Sequence, residues 1–124
     1  MSEQNSSIHD SVVREIIDRL KQRKCRGIKA NNIGQGYESP DKIASEDGSG
    51  ASYVPDITSS IPSFIISVED PNGLDSAGAA WKTFATYTRK TGREFLIAVP
   101  RSSGEKVRAR LKELKIRNAK LIWY

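Results

Sequence analysis

The sequence predicts an α/β fold, a mixed central sheet flanked by helices. Three observations carry that prediction. Apolar positions at Val12, Val13, Ile16, Ile17 and Leu20 recur at helical spacing near the start. Two stretches with strand character, 52–58 and 63–69, follow each other with only "SSIP" between their cores, as the arms of a hairpin do. In the second half, helix-spaced segments alternate with continuous apolar runs, the pattern of parallel strands joined by right-handed crossovers.

Element by element, residues 1–7 are polar and expected to fray, with the only histidine, His9, beside them. Asp10 or Ser11 is placed to cap a helix over about 10–24, and Lys21, Arg23 and Lys24 suit its C-terminal dipole. Residues 28–33, "IKANNI", form a short strand, and the Gly-, Ser-, Pro- and Asp-rich stretch after it reads as a long loop. "DPNG" at 70–73 is a turn. Asp75 or Ser76 then caps a helix to about 90, with Trp81, Phe84 and Thr88 along one stripe and Gly92 closing it. "EFLIAVP" reads as a buried strand. "SSGE" has the form of a capping box, Ser102 with Glu105, for a helix to about 115 whose inward residues are Val107, Leu111 and Leu114. "AKLIWY" is the last strand. The expected order is α-β-β-β-α-β-α-β.

The 124 residues suit one domain, placed at 8–124. A single cysteine, Cys25, excludes an internal disulfide and fits a reducing compartment. The first thirty residues hold no apolar signal region, and no run approaches the roughly 18 apolar residues of a membrane span. A cytoplasmic protein with no membrane partner is the expectation. Net charge is +5, unevenly spread. Residues 1–50 carry eight basic and eight acidic groups, residues 51–80 four acids and no Lys or Arg, and residues 81–124 twelve basic groups against three acids. An acidic centre before a basic third is what a divalent cation beside a phosphate-binding surface requires; a solvated basic face is the plainer account.

The chemistry centres on "YVPDITSSIPSFIISVE". Side chains alternate along a strand, so Ser67 and Glu69 share one face while Ile66 and Val68 share the other. Pairing the two arms brings Asp56 beside Glu69, an oxygen-rich pair suited to Mg²⁺ or Mn²⁺, with the Val68 carbonyl as a further ligand. The plain alternative is an Asp that starts a strand after Pro55 and a Glu69-Asp70 pair that ends one in water.

With this element order, "YVPDI" and "FIISVE" resemble the two halves of the motif in the PD-(D/E)xK nuclease superfamily, the restriction-endonuclease-like fold. The resemblance runs from about residue 8 to 124. It implies a metal-dependent phosphodiesterase, an endonuclease, with Asp56 and Glu69 as metal ligands, Ser67 orienting water or substrate, and Mg²⁺ or Mn²⁺ as cofactor. Ser67 stands where the family has Asp or Glu, and Glu69 where it has Lys. Glu15 of the first helix is the candidate to supply a missing carboxylate, as a first-helix Glu does in some members; the alternative is a solvent-facing Glu15 near Arg19. Lys82 points away from the packed stripe. The second expectation is therefore a catalytically inactive relative serving as a module for nucleic-acid binding or protein assembly. On either expectation DNA or another nucleic acid is the partner, with Lys106, Arg108, Arg110 and Lys112 of the last helix presented outward to phosphates. Homodimerisation through the sheet edge stays open. "GQGYES" lacks the strand–helix context and the Lys of a phosphate loop, and reads as a loop. Trp81, Phe84 and Trp123 read as core.

Overall fold

A strand whose every residue is buried needs cover on both faces, and residues Phe64–Val68 meet that condition. They form β5 at the centre of the sheet. The computed structural model describes residues 2–31 and 36–124, with side chains from residue 8 onward. Along the chain lie α1 (Ser2–Gln22), β1 (Lys29–Ala30), β2 (Ile43–Ala44), β3 (Ser52–Tyr53), β4 (Ile57–Ser59), β5, α2 (Gly78–Thr91), β6 (Glu94–Val99), α3 (Gly104–Glu113) and β7 (Ala119–Trp123). Five strands make one mixed sheet in the order β1-β4-β5-β6-β7, and β2 pairs with β3 in a separate two-stranded sheet. The β4–β5 hairpin is antiparallel, and β5, β6 and β7 are parallel.

The sheet divides the core in two. On one face Val13, Ile16 and Ile17 of α1 pack on Ile57, Phe64, Ile66 and Val68. On the other, Trp81 and Phe84 of α2 with Val107 and Leu111 of α3 pack on Ile65, Phe95 and Ile97. Trp81 is fully buried, and Phe84 meets Phe95 edge-on with ring centroids 5.9 Å apart. Burying each such side chain contributes about 1.5–3 kcal/mol. Gly92 ends α2 in the left-handed region at φ 70°, its N–H donating to the Thr88 carbonyl.

Several expectations give way here. The order gains the β2–β3 sheet, whose two-residue strands carry no periodicity to read. The expected strand 52–58 is broken between Tyr53 and Ile57. Pro55 has no N–H for a ladder, so β3 turns to β2 while β4 joins β1 and β5. Asp56 stands at that break. Helix α1 begins at Ser2 rather than near 10, which puts Asp10 and Ser11 inside it. Neither later helix has the expected side-chain cap. The 3-10 turns Leu74–Ser76 and Arg101–Ser103 lead into α2 and α3, whose N-caps are Ala77 and Ser103 without side-chain hydrogen bonds. Residues 32–33 of the expected strand and 34–35 of "GQGYES" lie outside the described residues.

Candidate functional site: the strand ends and a basic groove

Asp56, Ser67 and Glu69 gather at one end of the sheet. The register Ile57↔Ile66 brings Asp56, one residue outward, level with Ser67. Asp56 Oδ2 accepts the Val68 N–H at 2.7 Å, so the carboxylate closes the ladder that Pro55 interrupts. Its other oxygen meets His9 Nε2 at 2.9 Å, and His9 Nδ1 is 3.2 Å from Asp10. The bond to Asp56 leads the causes that push the His9 imidazole up to about 9, with burial opposing it, so the ring is a cation at neutral pH.

Glu69 lies on the other side of the strand. Its Oε2 accepts from Ser67 Oγ at 2.8 Å and from the Trp81 indole N–H at 3.0 Å. Its backbone carbonyl accepts from the Tyr124 hydroxyl, and its N–H donates to Ala98. Burial pushes the Glu69 carboxyl above its ordinary value; Ser67 and Trp81 pull it down, and the Asp56 charge pushes it up. Burial likewise pushes the Tyr124 phenol up to about 12, helped by the charges of Asp70 and Glu69.

Asp56 thus reaches to α1 and Glu69 to α2, helices on opposite faces of the sheet. Both Asp56 oxygens and one Glu69 oxygen accept hydrogen bonds from protein donors. Among the described residues no three His, Cys, Asp or Glu side chains converge to hold a metal. Asp56 and Glu69, the expected ligands of Mg²⁺ or Mn²⁺, each accept from protein donors as they stand. Glu15 is no substitute: it is exposed and accepts from Arg19 Nη2 at 2.9 Å. Lys82 lines a cleft with Glu46, Asp47 and Arg110.

His9 and Tyr124 are the residues sequence reasoning missed. His9 belongs to the apolar stripe of α1, three and four residues before Val12 and Val13, and that spacing was the signal. Tyr124 carried none beyond its place at the end of a strand.

The basic third of the chain sorts along α3. Lys106 pairs with Asp75 at 3.1 Å, and Arg110 turns toward α2, its Nη1 3.5 Å from Glu113. The Arg110 side chain is about a third exposed (37%), its Nε is buried without a hydrogen-bond partner, and an added Cβ on Gly78 would lie 2.8 Å from its Nη2. These two are drawn onto the α2 side rather than outward, because positions four apart share a face and that face meets α2.

Arg108 and Lys112 lie on the other flank. With Lys115 and Arg117 they line a groove of about 450 Å³ between α3 and β7. All four are exposed, none is ion-paired among the described residues, and no Asp or Glu lines the groove. The Arg108 guanidinium sits over the Trp123 ring, 5.2 Å from its centre. Asn118 anchors the approach to β7, donating to the Ala85 carbonyl at 3.0 Å and to Thr88 Oγ1 at 3.2 Å.

No helix among the described residues is long and apolar enough to cross a membrane. No family model, no curated protein and no solved structure matches this chain.

Proposed function

We propose that this chain is a nucleic-acid-binding module on a restriction-endonuclease-like α/β scaffold, gripping phosphates through the α3–β7 groove without metal. One observation carries the reading: Arg108, Lys112, Lys115 and Arg117 line a single groove with no carboxylate among them. Four cations that line one groove, with no ion-pair partner among the described residues, repel one another, and a polyanion relieves that repulsion while releasing its own counterions. At the strand ends the acids serve the fold instead, Asp56 tying α1 to β5 and Glu69 tying β5 to α2.

A metal-dependent nuclease is the second reading, favoured by the gathering of Asp56, Ser67 and Glu69 at one sheet end. It requires a divalent cation to join Asp56 beside the His9 imidazolium.

Fluorescence anisotropy with labelled oligonucleotides tests the first reading. Binding should appear in EDTA. Its log K should fall with log salt at a slope of about −3, the value for four phosphate contacts. The double reversal R108E/K112E should remove most of it, while K106E, on the α2 side, changes it little. Equal affinity of wild type and R108E/K112E would sink the reading.

A further inference from the structure

The groove carries a second property besides charge. Its floor is apolar, built from Leu111 and Ile116 on the helix side and Ala119 and Leu121 of β7. Leu111 is nearly buried, whereas Ile116, Ala119 and Leu121 remain part-exposed. Building on the nucleic-acid reading above, we propose that the groove takes single-stranded nucleic acid, phosphates on the cationic rim and unpaired bases on the apolar floor.

A duplex carries its phosphates outside and keeps its base faces stacked within. Docked here it would satisfy the rim but leave Ile116 and Leu121 facing its charged backbone, with no apolar surface to cover them. An unpaired strand can turn its bases down onto that floor while its phosphates follow Arg108, Lys112, Lys115 and Arg117. The backbone points the same way. β7 is the last strand of its sheet, so among the described residues no strand pairs with the outer-edge N–H and C=O groups of Ala119–Trp123. Those groups can meet the open hydrogen-bonding edges of unpaired bases; in a duplex these edges pair with each other.

The full chain is titrated at one salt concentration into four labelled probes: oligo-dT, an abasic strand of the same length, a matched duplex, and poly-glutamate. Oligo-dT should bind about 10-fold tighter than the duplex and than the abasic strand, about 1.4 kcal/mol of base contact. Ile116→Ser should weaken oligo-dT while leaving the abasic strand unchanged. Because the abasic comparison uses wild-type protein, it stands even if that variant folds poorly. If the duplex or the abasic strand equals oligo-dT, the single-strand assignment is overturned while the phosphate-binding function survives. If no nucleic acid binds, or poly-glutamate binds tighter than all three, both are overturned.

Discussion

His9 Nε2 lies 2.9 Å from Asp56, a residue 47 positions later, and together they fasten the first turns of α1 to the hairpin. Both side chains are mostly buried, 26% and 19% exposed, so the pair is screened less than a surface ion pair. The folded state holds the His9 proton up to about pH 9, against an ordinary value of 6.5. The stabilisation is therefore complete below pH 6.5 and is lost as pH rises through 9. Its size is roughly 1–3 kcal/mol after allowance for the water that still reaches the pair. Urea unfolding at pH 6 should show His9→Gln less stable than wild type by about that amount, with the gap closing by pH 10. Profiles that run parallel from pH 6 to 10 would remove the ion pair from the account of stability. The residue scale is also where the sequence was hardest to read. Asp56 stood out because Pro55 precedes it, but its partner did not, since nothing local couples residue 9 to residue 56. Glu69 in turn was read as a ligand. Its two donors come from Ser67, on its own strand, and from Trp81, a residue assigned to the core for its ring alone.

At the scale of elements, periodicity and glycine were informative and caps were not. The parallel β5–β6–β7 ladder follows from apolar runs separated by helices, and Gly92 ends α2 as a C-terminal glycine should. The starts of α2 and α3 lie past the residues with capping character, because 3-10 turns shift each helix along the chain. The α3 cations were read as one outward set. They divide because Lys106 and Arg110 lean toward α2, a distinction that exists only once α2 is packed beside them. Both α1 and α3 end on a lysine in the left-handed region, Lys24 at φ 60° and Lys115 at φ 58°. In each case the next residue's N–H returns to a carbonyl five back, Cys25 to Leu20 and Ile116 to Leu111, the closing bond of a Schellman motif. Glycine is the usual residue there, and a lysine costs about 1 kcal/mol. Lys24→Gly and Lys115→Gly should therefore each stabilise the fold by up to about 1 kcal/mol in thermal unfolding. Only Lys115→Gly removes a groove cation, so it alone should weaken oligonucleotide binding and flatten the salt dependence by somewhat under one unit. Equal binding by the two variants would take Lys115 out of the interface.

For the whole molecule, acids and cations gather in different places. The acidic middle of the sequence folds onto the strand ends, and unpaired cations of the last third collect between α3 and β7. This segregation was visible in the charge counts, but its meaning depended on what the acids touch. Here His9, the Val68 N–H, Ser67 and Trp81 donate to three of the four carboxylate oxygens of Asp56 and Glu69. An ion that entered would share Asp56 with the His9 imidazolium, whose charge opposes a second cation there. A ligand that binds the folded state raises its stability by RT ln(1 + [L]/Kd). Millimolar Mg²⁺ or Mn²⁺ should therefore leave the melting temperature of wild type where EDTA leaves it, at matched ionic strength. His9→Gln, which takes the cation from beside Asp56, is the more sensitive host for the same titration. A rise of several degrees for wild type in Mn²⁺, abolished by Asp56→Asn, would restore the metal centre and make the nuclease the better reading. Unchanged melting together with EDTA-resistant oligonucleotide binding would separate two sets of residues by role: acids that hold α1 and α2 to the sheet, and cations that hold the ligand.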